Sequence, residues 1–182
     1  MNDPGDSTPT SPLDEPSSDP EPPERLDVTI VEEGGDWSPF PARDETIITA
    51  AAALARHPRC SRARGAEASI VLGDDALLRS LNHTYRGKDR PTNVLSFPFQ
   101  PPPGAEQGRY IGDVVLAATT VAREAGEQGT APAHHLQHLV IHGLLHLLGF
   151  EHETDAQAEV MERLEVQILS ALGIDDPYAP CG

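Results

Sequence analysis

The chain has 182 residues, with 13 Lys and Arg against 29 Asp and Glu for a formal charge of −16, and it holds only 2 cysteines. No apolar stretch is long enough to cross a bilayer, no basic start leads into an apolar run as in a signal peptide, and the cysteines lack metal-ligand spacing. These features exclude a disulfide framework and a membrane-spanning chain, and the expectation is a cytoplasmic protein with reduced thiols.

Residues 1–24 come first and differ from the rest. Pro, Ser, Thr, Asp and Glu recur there, with seven acidic residues, no basic ones, and Met1 and Leu13 as the only large apolar side chains. Such a stretch buries too little surface to offset its ordering entropy, so a disordered acidic extension is expected. It accounts for −7 of the −16 and leaves −9 for residues 25–182, a length suited to one domain.

Leu26-Asp27-Val28-Thr29-Ile30-Val31 alternates with a β-branched bias and reads as a strand. An alanine-rich helix runs from Asp44 or Thr46 to Arg56 and stops before Pro58, and Cys60 follows in a basic, loop-like stretch. Ser69–Leu72 is a second strand, after which Gly73-Asp74-Asp75 opens a helix carrying Leu77, Leu78 and Leu81. Asn93–Phe97 and Tyr110–Leu116 read as two more strands on either side of Pro101-Pro102-Pro103-Gly104, a run that no regular element tolerates. A helix from about Thr119 to Ala125 is then separated by Gly126–Pro132 from a long apolar helix over Leu136–Leu148. Thr154-Asp155-Ala156-Gln157 is a capping box that opens a last helix with Met161, Leu164, Ile168 and Leu172 on one face, ended by Gly173. The fold class is therefore α+β, a four-stranded mixed sheet, mostly parallel, packed with helices, and the apolar helix is its centre.

That central helix carries the chemistry. His142 and His146 are four residues apart, so they lie on one face and aim at a common point. Gly149 can take the left-handed conformation that ends a helix, letting the chain turn back so that His152 reaches the same point. Three neutral imidazoles at about 2.0–2.1 Å with a fourth position open describe a catalytic zinc site better than a closed structural one. His134, His135 and His138 precede that turn and read as solvated residues or supports for the ligands. Copper, nickel or iron also suit three imidazoles, but one zinc ion per chain is the first choice.

The spacing His-x-x-x-His-x-x-Gly-x-x-His resembles that of the metzincin proteases, with one difference. Their first histidine is followed by a glutamate that acts as general base, and here Gly143 stands in that place. A glycine inside a buried helix costs about 1 kcal/mol relative to alanine, so a close approach of backbone or substrate is the reason to expect. Met161 falls on the apolar face of the last helix and reads as core, not as a methionine turn.

A second segment resembles another family. Leu81-Asn82-His83-Thr84-Tyr85-Arg86-Gly87-Lys88-Asp89-Arg90-Pro91-Thr92-Asn93-Val94-Leu95-Ser96-Phe97-Pro98 is similar to the signature of the YbeY endoribonucleases, and the histidine segment and Ile111-Gly112-Asp113 match as well. The likeness spans roughly Val28 to Tyr178, and Glu151 departs from it, since the family usually has aspartate before the last histidine. The resemblance implies a zincin-like metal-binding helix, with His142, His146 and His152 holding the metal and Arg86 as the catalytic side chain.

It also implies a single-strand-specific, metal-dependent endoribonuclease that matures ribosomal RNA at the 3′ end of the 16S molecule and serves ribosome quality control. Its partners would be single-stranded RNA, the small ribosomal subunit and that subunit's proteins, with neither DNA nor a membrane among them. Arg86, Lys88 and Arg90, with Arg79 nearby, form the densest basic group outside Arg56–Arg64 and suit a phosphate backbone. Tyr85 and Phe97 are candidates for stacking on bases, Phe97 reading better as core. Glu151 and Asp113 stand equal as general base or as supports of a ligand histidine. Two other functions compete with the nuclease, a metzincin-like metallopeptidase and a non-catalytic, metal-stabilised ribosome assembly factor.

Overall fold

The computed structural model describes residues 25–106 and 108–179. The expected disordered extension over 1–24, and Cys181, lie outside the described residues. Four strands, β1 (Asp27–Glu32), β2 (Glu67–Gly73), β3 (Val94–Pro98) and β4 (Tyr110–Ala117), form one sheet in the order β1-β2-β4-β3. The first three in that order run parallel, and β3 closes the edge antiparallel to β4. The α+β class and the mostly parallel sheet are as expected from the sequence.

Five α-helices accompany the sheet: α1 (Arg43–Arg56), α2 (Asp75–Arg86), α3 (Ala118–Glu127), α4 (Pro132–Leu147) and α5 (Asp155–Ser170). The stretch around Cys60, expected as a loop, instead forms 3-10 turns over Pro58–Ala63 that meet in a kink at Cys60. The physical reason is a three-residue period that turns Cys60 and Ala63 into the core. Pro132, expected to end the break before the histidine helix, is its first residue, where a missing N–H costs nothing. The capping box of Thr154 and Gln157 forms as read.

Strand alternation divides the side chains between two faces. Ile30, Ile70, Val114 and Ser96 make one register row across the sheet, apolar until its last member at the β3 edge. That face carries the main core with α1, α4 and α5. Leu95, Val115 and Ala117 point the other way and pack with Leu78 of α2. Helix α4 touches α1, α3, α5, β3 and β4, so the histidine helix is central. Its Leu136, Ile141, Leu144 and Leu145 are fully buried, each stabilising the fold by about 1.5–3 kcal/mol.

Two glycines set the geometry where α4 and β3 meet β4. A Cβ on Gly143 would lie 2.5 Å from Val114 Cγ1 and 3.2 Å from Ser96 Oγ, so glycine lets the helix backbone sit directly on the sheet. Ser96 Oγ donates to the Gly143 carbonyl at 3.1 Å and fixes that contact. The close approach expected at Gly143 is thus to β4. Gly112 has φ +135°, and a Cβ there would run into the Phe97 carbonyl oxygen. The register slips at this point, Glu67 pairing with Tyr110 but Ala68 with Gly112, which leaves Ile111 as an extra residue.

Candidate metal centre

His142 and His146 lie one turn apart on α4, and Gly149, at φ +91°, reverses the chain so that His152 comes back to them. One ring nitrogen from each lies within 4.8 Å of the others. His142 Nε2 and His146 Nε2 are 3.2 Å apart, close to the separation of about 3.3 Å for two nitrogens on a tetrahedral ion with bonds of about 2.0–2.1 Å. Among the described residues this group of three could hold a metal ion.

The surroundings prepare these nitrogens as ligands. His142 Nδ1 donates to Glu165 Oε1 at 2.8 Å, and His146 Nδ1 faces Glu151 Oε2 at 3.4 Å. With the Nδ1 sides turned to carboxylates, the two Nε2 atoms are left facing one point where a cation can lie between them. Burial, with His142 beside it, holds the His146 pKa below the usual histidine range against the opposing pull of Glu151, so its ring stays neutral as a ligand must.

Glu165 was not singled out from the sequence. It is fully buried on α5 and accepts from His138 Nε2 at 2.9 Å, from His142 Nδ1, and from the Tyr178 hydroxyl. Burial pushes its carboxyl pKa up, but the bonds from His138, His142 and Tyr178 outweigh that and bring it down to about 2. Burial, with the same carboxylate beside it, pushes the Tyr178 phenol upward. A signal for Glu165 was present, since an acidic residue stands among Met161, Leu164 and Ile168 on a stripe otherwise apolar. Of the other histidines, His138 reaches the ligands through Glu165, while buried His135 bonds to Glu124 at 3.2 Å.

A cleft of about 190 Å³ holds all three histidines together with Arg86, Thr92, Asn93, Val94 and Ser96. Arg86 is the last residue of α2, and Gly87 ends the helix in the left-handed conformation at φ +66°. The turn beyond is tied back by Arg79, which donates to both carboxylate oxygens of Asp89 at 2.6 and 3.0 Å, and by Asn82 Nδ2, which donates to the Arg90 carbonyl. Asn93 is held by donation to Glu124 at 2.8 Å. Tyr85 is 67% exposed and meets Phe97 edge-on at 5.0 Å.

Asp113 does not join this site. It sits on the α2 face of the sheet, in register with Phe97, and accepts from the Tyr110 hydroxyl at 2.6 Å. Glu151 is the acidic residue that approaches the ligands from the loop. Among the described residues no carboxylate lines the cleft, and the place of the metzincin glutamate is occupied by Gly143 against Val114.

A zincin-like helix with two histidines, a third returning after a glycine turn, and an arginine across an open cleft define a class of metal-dependent hydrolase. The family described as Endoribonuclease YbeY matches residues 41–173. A protein of that description from Azorhizobium caulinodans is 50% identical over 154 residues, covering 85% of this chain and 96% of the relative. Relatives from Chelativorans sp. and Parvibaculum lavamentivorans, described in the same words, are 49% and 48% identical; they cover 80% and 84% of this chain and are themselves covered to 88% and 85%. The chain belongs to the YbeY endoribonuclease family.

Proposed function

We propose that this chain is a zinc-dependent endoribonuclease that cuts single-stranded RNA, with His142, His146 and His152 as metal ligands and Arg86 as the catalytic side chain. The observation that carries the reading is one cleft lined by all three histidines and Arg86 in a member of this family. Its cellular setting is the cytoplasm, and its substrate is the 3′ end of 16S ribosomal RNA, met on the small ribosomal subunit, with ribosome quality control as a further task. The catalytic unit is residues 25–182, preceded by an acidic extension over 1–24.

His142, His146 and His152 would hold zinc as three neutral imidazoles, and the ion would there supply a full double charge able to lower the pKa of water and to polarise a phosphoryl oxygen. Glu165 and Glu151 keep His142 and His146 turned with Nε2 toward the metal position. Arg86 offers a planar fork to two phosphate oxygens and stabilises the charge that grows on them as the bond breaks. The glycine at 143 removes the proton acceptor that a metzincin peptidase uses, so the peptidase reading is set aside.

The test is to load purified protein with quantified zinc and offer it single-stranded RNA and an unfolded protein, beside Arg86→Ala and His142→Ala. Wild type should cut RNA alone, and Arg86→Ala should be slower by about 10²–10³. Equal trace cleavage by wild type and Arg86→Ala would mark the activity as contamination and overturn the reading. Binding to small subunits with neither substrate cut would favour an assembly factor.

A further inference from the structure

Arg25, Arg43, Arg79, Arg109, Arg123 and Arg163 each meet a carboxylate. Among the described residues, the cations without such a partner fall into two runs. One is Arg86, Lys88 and Arg90, beside the histidine cleft. The other is Arg56, Arg59, Arg62 and Arg64, on and around the 3-10 helix. We propose that this second run is a contact surface for the phosphate backbone of the RNA whose scissile bond lies in the histidine cleft, an inference that rests on the endoribonuclease reading above.

The 3-10 period that buries Cys60 and Ala63 leaves Arg59 and Arg62 on the outside, with exposed Arg56 and Arg64 flanking the turn. Two of these guanidinium groups are already held in place. Arg62 Nη1 donates to the Leu148 carbonyl at 3.3 Å and Arg64 Nε to the Ala55 carbonyl at 3.2 Å. Each thereby satisfies a helix C-terminus and keeps further N–H donors for phosphate oxygens. Less side-chain entropy remains to be lost on binding.

Leu148 lies between ligands His146 and His152, so the arginine run and the cleft share one end of α4. Arg62 and Arg64 also line a hollow of about 280 Å³ together with Gly65, Gly108 and the carboxylate-paired Arg109. Cys60 and Ala63 of the run are buried and Pro58 is its exposed apolar side chain, so among the described residues of the run there is no large aromatic or aliphatic anchor of the kind a protein interface uses. Residues outside 1–24 carry −9, so most of the surface repels a phosphate strand and the two arginine runs admit it.

The test measures binding of zinc-loaded, full-length protein to a single-stranded oligoribonucleotide by anisotropy across ~0.05–0.2 M salt, with RNA integrity checked on a gel. Arg59→Gln/Arg62→Gln/Arg64→Gln should flatten the slope of log K against log salt by about 2, and affinity at ~0.1 M salt should fall about five-fold for each guanidinium that no longer meets a phosphate. Because Arg62 and Arg64 also hold carbonyls, Arg56→Gln/Arg59→Gln serves as a second variant. Its melting temperature should match wild type, and its slope should flatten by about 1.4. Wild-type slopes in both variants, with RNA still bound and cut by wild type, overturn the surface and leave the nuclease reading intact. Unchanged RNA slopes together with abolished capture of ribosomal protein overturn it in favour of a protein partner. A folded, zinc-loaded wild type that neither binds nor cuts RNA overturns the nuclease reading and this surface together.

Discussion

Replacing Gly143 with alanine places one methyl group where α4 rests on the sheet, and two opposed effects set its cost. The new carbon would sit 2.5 Å from Val114 Cγ1 and 3.0 Å from Cγ2, well inside the ~3.5–4.0 Å of contacting carbons. Val114 is fully buried and cannot swing into solvent. Overpacking costs about 1–3 kcal/mol, whereas alanine in a helix is about 1 kcal/mol better than glycine. The expected balance is a loss of about 1 kcal/mol, or about 2–4 °C in melting temperature for a chain of this size. Val114→Ala removes both interfering carbons, so in that background Gly143→Ala should stabilise by about 1 kcal/mol. The coupling between the two positions is then about 2 kcal/mol. Urea unfolding of the four metal-stripped proteins, followed by circular dichroism, measures it. Additive effects would refute the argument that contact with Val114 is what requires glycine here.

Glu165→Gln keeps the size of the side chain but removes the charge that orients His142, and zinc affinity measured by chelator competition should fall about 10–100-fold. An unchanged affinity would deny Glu165 that positioning role. Burial lowers the His135 pKa against the opposing pull of Glu124. A folded-state pKa below the unfolded value gives stability that is complete above about 6.5 and lost as pH falls through the folded pKa. Metal-stripped wild type should therefore lose stability between about pH 7 and 5, and His135→Gln should lose less over the same window. Equal pH dependence in the two would rule His135 out as a contributor. Burial pushes the Cys60 thiol up to about 11 against the opposing charge of Arg59. A Cys181→Ser variant should accordingly show no thiol reactivity at neutral pH until denaturant is added, and rapid labelling of the native protein would contradict this.

The parts legible in the sequence were those with local causes. The spacing of His142, His146 and His152 reflects helix geometry and one glycine turn, and the Thr154 capping box needs only four residues. The strands were legible through alternation, and β3 through the turn residues on either side of it. The 3-10 helix around Cys60 was not, because arginines crowd the segment and its inward period of three involves only Cys60 and Ala63. Glu165 was missed because its partners His138, His142 and Tyr178 come from other parts of the chain. Asp113 was ambiguous for a related reason, since an alternating strand does not tell which of its faces will meet α4.

The three proposed ligands do not stand on equal ground. His142 and His146 belong to the most enclosed helix of the fold, while His152 hangs on the short loop between Gly149 and Thr154. An ion held by these residues would therefore work as a latch for that loop, closing it against a wall that is already built. Without the ion, hydrogen exchange should quicken at residues 149–154 by local opening, with the interior amides of α4 still slow. Affinity for the metal then includes the free energy of folding the loop down, so residues that stiffen it tune the metal site without touching the ion.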